Sequence, residues 1–298
     1  MIANHSYQGF EAHKLHLLFQ ATYYLNAGNY KSAIRFYQEL IALFEANRHL
    51  ILNPPIYYLS AIEGVLNSLH VAGLYREMPF FLSKLKEIST GNYPTEFLME
   101  VQGRHYLYEL LGLLNTGQFD AAVHLTETYT DFFAKKATMT RPETQLKLSL
   151  YSSILYLCLG EPMKARKSMK NILGSGKFFH TLPSYKTARL INLLIQAELG
   201  NYCFFANEIS SIKRLIGYEK QVYITEKLLF RFLMAHPLPI YKKDQEKLWS
   251  QYQKDIMRIR QDKYEKQLLK TFDFTAWIES KLTNIPLREI LSRTDWYI

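Results

Sequence analysis

The feature that most constrains this chain is a glycine that recurs at an almost constant interval. Successive members of the series lie 45, 44, 43 and 40 residues apart, and each closes one apolar stretch and opens another. Glycine readily adopts the left-handed backbone that ends a helix. A unit repeated at such a period predicts a stack of similar units rather than one globular core. The five glycines are Gly28, Gly73, Gly117, Gly160 and Gly200.

The residues that follow each glycine mark one face of a helix. Offsets of 2, 5, 9 and 12 are mostly apolar, and in the first unit they are Tyr30, Ala33, Tyr37 and Leu40. Steps of three and four residues return to the same side of an α-helix. The small residue at offset 5 favours close approach of two helices. Because one hairpin cannot cover this stripe alone, neighbouring hairpins are expected to stack on it.

Prolines separate the units, because proline interrupts a helix that it does not begin. The segment between two glycines therefore predicts two helices, and no alternating strand pattern occurs in the sequence. The fold class predicted is all-α. The prolines are Pro54, Pro55, Pro94, Pro142 and Pro183. The predicted helix pairs are 10–27 with 30–46, 56–72 with 75–89, 95–116 with 118–136, 143–159 with 162–173, and 184–199 with 202–216.

The glycine-centred segments resemble the turn and second helix of a tetratricopeptide repeat. The best copies are 28–34 (GNYKSAI) and 117–122 (GQFDAA), with weaker copies at 160–165 (GEPMKA) and 200–202 (GNY). The resemblance covers residues 10–217. It implies a right-handed superhelical array of about five tetratricopeptide-like hairpins, whose first helices line a concave groove for a protein or peptide.

The sequence departs from that family in two ways. Its units run 40 to 45 residues, whereas a tetratricopeptide unit runs 34. The family also places a large apolar residue eight positions before the glycine, and four of the five units here have a polar one. The residues at that position are Gln20, Val65, Glu109, Ser152 and Asn192.

The pattern changes near residue 218, so we predict two parts: an array over 1–217 and a C-terminal helical extension over 218–298. Helices are predicted at 219–235, within 242–282, and for a short stretch ending at Leu291. A terminal segment of a repeat array must cover the last exposed apolar face. The extension is therefore interpreted as a cap. It also resembles C-terminal segments of uncharacterised bacterial helical-repeat proteins, and that resemblance implies no function.

The resemblance also indicates which residues line a groove. Counting back 13, 10, 9 and 6 positions from the glycines gives Thr22, Ser60 and Glu63, together with the main candidates Asn67, Arg104, Tyr108, Lys147 and Tyr151. The clamp that some family members use for a C-terminal carboxylate is missing, since Leu18 and Thr22 occupy two of its positions. A mixed aromatic and polar groove suits a peptide segment. The alternative is that these side chains pack against the interior of the array itself.

The net charge of +9 is concentrated in the second half of the chain. Residues 160–220 hold 10 Lys and Arg against 4 Asp and Glu. Such a surplus can mark a surface for nucleic acid, acidic lipid or an acidic partner, or it can be a solvated basic face with no partner. The leading prediction is a protein-interaction scaffold, and the alternative is a helical-repeat nucleic-acid binder. The basic candidates are Lys164, Lys167, Lys170 and Arg189, with Arg166, Lys177 and Lys186 as further phosphate contacts.

No motif indicates catalysis, so we predict a non-enzyme without metal or cofactor. His13 and His16 lack a third ligand at helical spacing, and Glu96 and Glu100 are interpreted as a solvated helix face. The segment 174–177 (GSGK) lacks the first glycine and the Ser or Thr of a phosphate-binding loop. Cys158 and Cys203 are interpreted as buried reduced thiols. With no signal peptide or apolar span visible, the predicted compartment is the cytoplasm.

Overall fold

The computed structural model describes residues 9–51, 53–136, 140–174, 178–216, 223–239 and 241–293, and these segments are helical without any strand. The prediction of an all-α fold is therefore confirmed. The first ten helices form five consecutive pairs, and the predicted ends lie within one to three residues of the observed ones. The pairs are α1 (Phe10–Asn26) with α2 (Tyr30–Ala46), α3 (Ile56–Val71) with α4 (Met78–Ser89), α5 (Thr95–Asn115) with α6 (Phe119–Lys136), α7 (Pro142–Cys158) with α8 (Pro162–Gly174), and α9 (Tyr185–Glu198) with α10 (Phe205–Ile216).

The recurring glycines form the same turn each time. Their φ angles are +75°, +74°, +72°, +71° and +73° in chain order. At the first turn the Gly28 N–H donates to the Leu25 carbonyl, and the Asn29 N–H donates to the Tyr24 carbonyl, at 3.1 and 2.9 Å. The same two bonds recur at the other four glycines. This pair of bonds is the Schellman motif, which satisfies carbonyls that the helix end leaves without a partner.

A small residue follows three of these turns and is buried. Ala33, Ala122 and Ala165, all at offset 5, are fully buried. Where a hairpin lacks this alanine, Met78 and Phe205 fill the position, and both are buried. In those two hairpins a short 3₁₀ turn precedes the second helix.

The chain divides into two compact units, one ending at Thr144 and the other beginning at Gln145. The division that the sequence predicts at 217/218, between an array and its extension, stays a prediction. In the first unit α1 packs on α2, α2 on α3, α4 on α5 and α5 on α6, and the first helices α1, α3 and α5 also contact each other in turn.

A carboxylate joins the first two hairpins. Glu45 on α2 accepts a hydrogen bond from the Tyr58 hydroxyl on α3 at 2.7 Å, and the Lys84 ammonium on α4 lies 2.5 Å from the same oxygen. Burial alone would raise the pKa of Glu45, but these two partners outweigh it and lower the pKa.

In the second unit the chain continues into five further helices. They are α11 (Ile224–Met234), α12 (Lys242–Gln261), α13 (Glu265–Leu269), α14 (Phe274–Thr283) and α15 (Leu287–Arg293).

Polar contacts tie the C-terminal helices to α9 and α11. Trp277 on α14 is fully buried, and its indole Nε1 donates to Glu198 on α9 at 2.7 Å. Glu198 also binds Lys281 at 2.7 Å through its other oxygen. The buried Glu265 carboxylate accepts the backbone N–H groups of Ile224 and Thr225 at 2.7 and 3.0 Å, so it caps the first turn of α11.

Two predictions about individual residues were wrong. Cys203 is exposed, because it lies in the 3₁₀ turn before α10 rather than inside a helix, and only Cys158 is buried. Glu100 is buried rather than solvated. It is covered by a segment more than forty residues away in the chain, whereas Glu96 is exposed as predicted.

Candidate functional site

Two of the residues found by counting back from the glycines, Arg104 and Glu63, form an ion pair that joins α5 to α3. The Arg104 guanidinium on α5 lies 2.7 Å from a carboxylate oxygen of Glu63 on α3. Its Nε also donates to Glu100 at 3.0 Å, and the Arg104 side chain is only 2% exposed. A buried guanidinium is stable when carboxylates pair with it. Arg104 therefore holds neighbouring first helices together rather than facing solvent.

Glu100 completes this buried cluster. One of its oxygens accepts the backbone N–H of Arg141 at 3.0 Å, and the other accepts the Thr144 hydroxyl at 3.2 Å. Tyr108, one turn after Arg104, is buried as well. Of the three candidates in the first unit, only Asn67 on α3 keeps intermediate exposure.

The two candidates in the second unit lie on α7. Tyr151 has intermediate exposure and hydrogen-bonds Thr271, and burial raises the pKa of its phenol to about 12. Thr271 belongs to the C-terminal extension, so Tyr151 contacts another part of the same chain. Lys147 also has intermediate exposure.

The sequence reasoning missed the most exposed apolar face of the first unit. Leu15, Phe19 and Tyr23 on α1 are 57%, 65% and 56% exposed, and they lie four residues apart on one side of the helix. Leu15 and Phe19 stand 13 and 9 positions before Gly28, so the same count that gave Thr22 also gives them. A large apolar residue at a position predicted to face the groove was the signal available.

Helix α3 lies against α1 and also carries polar residues that are partly exposed. In a stack of similar units, equivalent positions point in the same direction, and Leu15, Leu18 and Thr22 are equivalent to Ser60, Glu63 and Asn67. These three α3 residues keep intermediate exposure, and α1 and α3 are in contact. We call the set the α1–α3 surface. It consists of Leu15, Leu18, Phe19, Thr22, Tyr23, Ser60, Glu63 and Asn67.

The aromatic rings of the α1–α3 surface are held in place by contacts with neighbouring rings. The Phe19 and Tyr23 rings stack with centroids 6.4 Å apart and planes 20° apart. Tyr23 also meets the edge of Tyr24, at 5.4 Å. Rings held by neighbours lose little conformational entropy when a ligand packs on them, so this face offers ordered apolar anchors.

The basic candidates divide into two groups. Arg189 is buried, and its Nε lies 2.8 Å from a carboxylate oxygen of Glu208. The Nζ of Lys186 lies 3.0 Å from a carboxylate oxygen of the buried Glu226. Neither therefore presents its charge at the surface. The exposed cations lie on α8 and are Lys164, Arg166, Lys167 and Lys170. Lys177 lies outside the described residues.

Among the described residues, no three His, Cys, Asp or Glu side chains are placed to hold a metal ion. His13 and His16 both have intermediate exposure on α1. Within the same residues, no helix has the length and apolar character that crossing a bilayer requires. No protein-family model, curated protein or solved structure matches this chain.

Proposed function

We propose that this chain is a non-catalytic scaffold that binds a protein or peptide on the concave face of a right-handed, tetratricopeptide-like superhelical array. The observation that carries the proposal is the exposure of Leu15 and Phe19 at positions where such an array lines its groove. A solvent-exposed apolar stripe is costly for a soluble protein unless a partner covers it.

The repeated turns and the contacts between first helices support the array. Five hairpins close with the same glycine conformation, and the Glu63–Arg104 ion pair links the first helices α3 and α5. The proposed array has the C-terminal extension as its cap, since Trp277 and Lys281 both bind Glu198 on α9. Both cysteines are free thiols, which fits a reducing compartment such as the cytoplasm.

The partner segment should carry apolar side chains that reach Leu15 and Phe19. The α1 stripe repeats every four residues, which matches the spacing of anchors on a helical peptide. Polar groups of Ser60, Glu63 and Asn67 border the stripe and offer hydrogen bonds to the peptide backbone or to basic side chains. Tyr108 and Arg104 are buried, so we assign them to the support of this surface rather than to direct contact.

Selection from a phage-displayed library of random peptides tests the proposal. The wild-type protein should enrich peptides with apolar residues three or four positions apart, and Phe19→Ala should weaken their binding about tenfold or more, the effect expected of an aromatic anchor. Phe80 on α4 is an equally exposed phenylalanine on a second helix, so Phe80→Ala is the matched control and should bind normally. Failure to enrich any motif, or equal loss in both variants, would refute the α1–α3 surface as the binding site.

A second candidate function, nucleic-acid binding through the basic second half, has less support. Two of its seven candidate cations, Lys186 and Arg189, form ion pairs within the fold and are not offered to a partner. The four exposed ones lie on a single helix, so they form no pattern repeated from one hairpin to the next.

A further inference from the structure

The exposed side of α8 is a second surface, and it differs in chemistry from the α1–α3 surface. Ala165, Met169 and Ile172 are buried and fix one side of the helix in the fold. The opposite side carries Arg166, Lys167 and Lys170 in five residues, all exposed. No Asp or Glu occurs between 162 and 174.

No carboxylate among the described residues neutralises the three cations. Within the described part of the chain, Arg166, Lys167 and Lys170 form no ion pair, whereas Lys164 lies 2.6 Å from Glu161. Like charges held one turn apart repel each other and destabilise a helix slightly. A face of this kind is complementary to a dense array of negative charge.

Large exposed apolar side chains occur in the sequence near both ends of α8. Met163 at the start of α8 is 65% exposed, and Phe178, four residues beyond its end, is 62% exposed. Phe178 rests edge-on against the buried Phe179, with centroids 5.0 Å apart, so its ring is held in place. Cations beside protruding apolar groups suit an interface that is charged outside and apolar just beneath, which is how an anionic bilayer is built.

We propose that the exposed face of α8, together with Met163 and Phe178, docks on an anionic lipid surface. The basic side chains bind lipid phosphates and carboxylates, and the two apolar side chains enter the boundary between headgroups and acyl chains. Nucleic acid is the less suitable polyanion here. Single strands are held by several aromatic platforms interleaved with the cations, whereas this face has no aromatic residue between Lys164 and Lys170 and a single exposed ring, Phe178, beyond the end of the helix. A thioether offers no stacking surface.

Vesicle sedimentation of the full chain tests this inference. The probes are vesicles of phosphatidylcholine alone and of phosphatidylcholine with about 30% phosphatidylserine, a content that gives a clearly negative surface potential. We expect binding to the second kind only, with an affinity that falls as salt rises because the charges are screened.

Replacing two of the lysines by glutamine measures how much their charges contribute to the affinity for vesicles. Each basic residue near an anionic bilayer contributes about 1 kcal/mol, or about fivefold in affinity, so Lys167→Gln with Lys170→Gln should weaken binding about 25-fold. The matched control is Lys243→Gln with Lys247→Gln, which removes the same charge from exposed positions on α12. There Asp244 and Glu246 lie alongside, and binding should change less than about twofold if charge location matters.

Met163→Gln separates the apolar contribution from the charges. It should weaken binding several-fold, about the value of burying part of a methionine side chain, and leave the salt dependence unchanged. The inference is overturned if the chain binds neither kind of vesicle, or if both lysine pairs weaken binding equally. It is also overturned if an unstructured RNA oligonucleotide binds more tightly than the anionic vesicles and competes through Lys167 and Lys170. None of these outcomes depends on the peptide-binding proposal, since α1 and α3 are unchanged in every variant.

Discussion

Two glycines that lie five residues apart, Gly112 and Gly117, give a prediction about the free energy of unfolding. Gly117 has a φ of +72°, whereas Gly112 lies in the last turn of α5 with an ordinary helical backbone. A Cβ at either position would meet no atom within 4 Å. Replacement by alanine therefore changes backbone energetics alone, without a steric clash at either site.

The two changes should have opposite signs. At Gly117 the left-handed backbone costs an alanine about 1–2 kcal/mol, and the smaller entropy of the unfolded chain returns about 0.4–1 kcal/mol. The net loss is about 1 kcal/mol. At Gly112 there is no such strain, so alanine should stabilise the helix by about 0.5–1 kcal/mol. The two variants should differ by about 2 kcal/mol in their free energy of unfolding.

Urea unfolding followed by far-UV circular dichroism measures this difference. Gly117→Ala should lower the midpoint and Gly112→Ala should raise it, with the slope of the transition unchanged. Midpoints that move in the same direction would refute the turn geometry, because both sites are equally open and differ only in φ.

Other regions of the molecule give further testable predictions. Glu265→Ala leaves the N–H and hydroxyl of Thr225 without their partner. The variant should be destabilised by about 2–3 kcal/mol, because buried hydrogen bonds to a charged group are lost. An unchanged urea midpoint would contradict this. Cys203 is exposed and Cys158 is buried with its thiol pKa raised to about 12, so a thiol reagent should modify one cysteine per native chain quickly and the second only on unfolding. The folded-state pKa of Glu45 is lowered, so its stabilisation is present above the unfolded pKa of about 4.3 and is lost as the pH falls through the folded value. Glu45→Gln should accordingly flatten the acid side of the stability profile, and an unaltered profile would show that the carboxylate has no such role.

The sequence predicted the parts of the fold that depend on local chemistry. A glycine with positive φ leaves a clear signal, and so does the apolar spacing after it, so the five hairpins could be placed almost to the residue. The position eight residues before the glycine is buried in several units although its residue is polar. Gln20, Ser152 and Asn192 are buried where an apolar residue was expected.

The exposure of the candidate site residues could not be predicted in the same way. Counting positions gives the direction of a side chain but not the segment that covers it. Glu100 is covered by Arg141 and Thr144, and Tyr151 by Thr271. The exposure of these residues depends on contacts between segments about 40 to 120 residues apart, and no local pattern encodes such contacts.

The sequence contains signals for some of the helix boundaries within 242–282. Asp273 accepts the N–H groups of Thr275 and Ala276 and so begins α14, which is the usual role of an aspartate just before a helix. Asp262 accepts the N–H of Tyr264 in the turn before α13. An aspartate before each helix is therefore the signal that marks these starts in the sequence.

Methyl and amide NMR of the full chain with a peptide selected from the phage library tests the central claim most directly. We predict that chemical-shift changes at saturation concentrate on the α1–α3 surface, above all at Leu15, Phe19 and Thr22, with smaller changes at Ser60 and Asn67. Changes centred on α4 around Phe80, or on the second unit, would contradict the claim that this protein holds its partner on the first helices of the array.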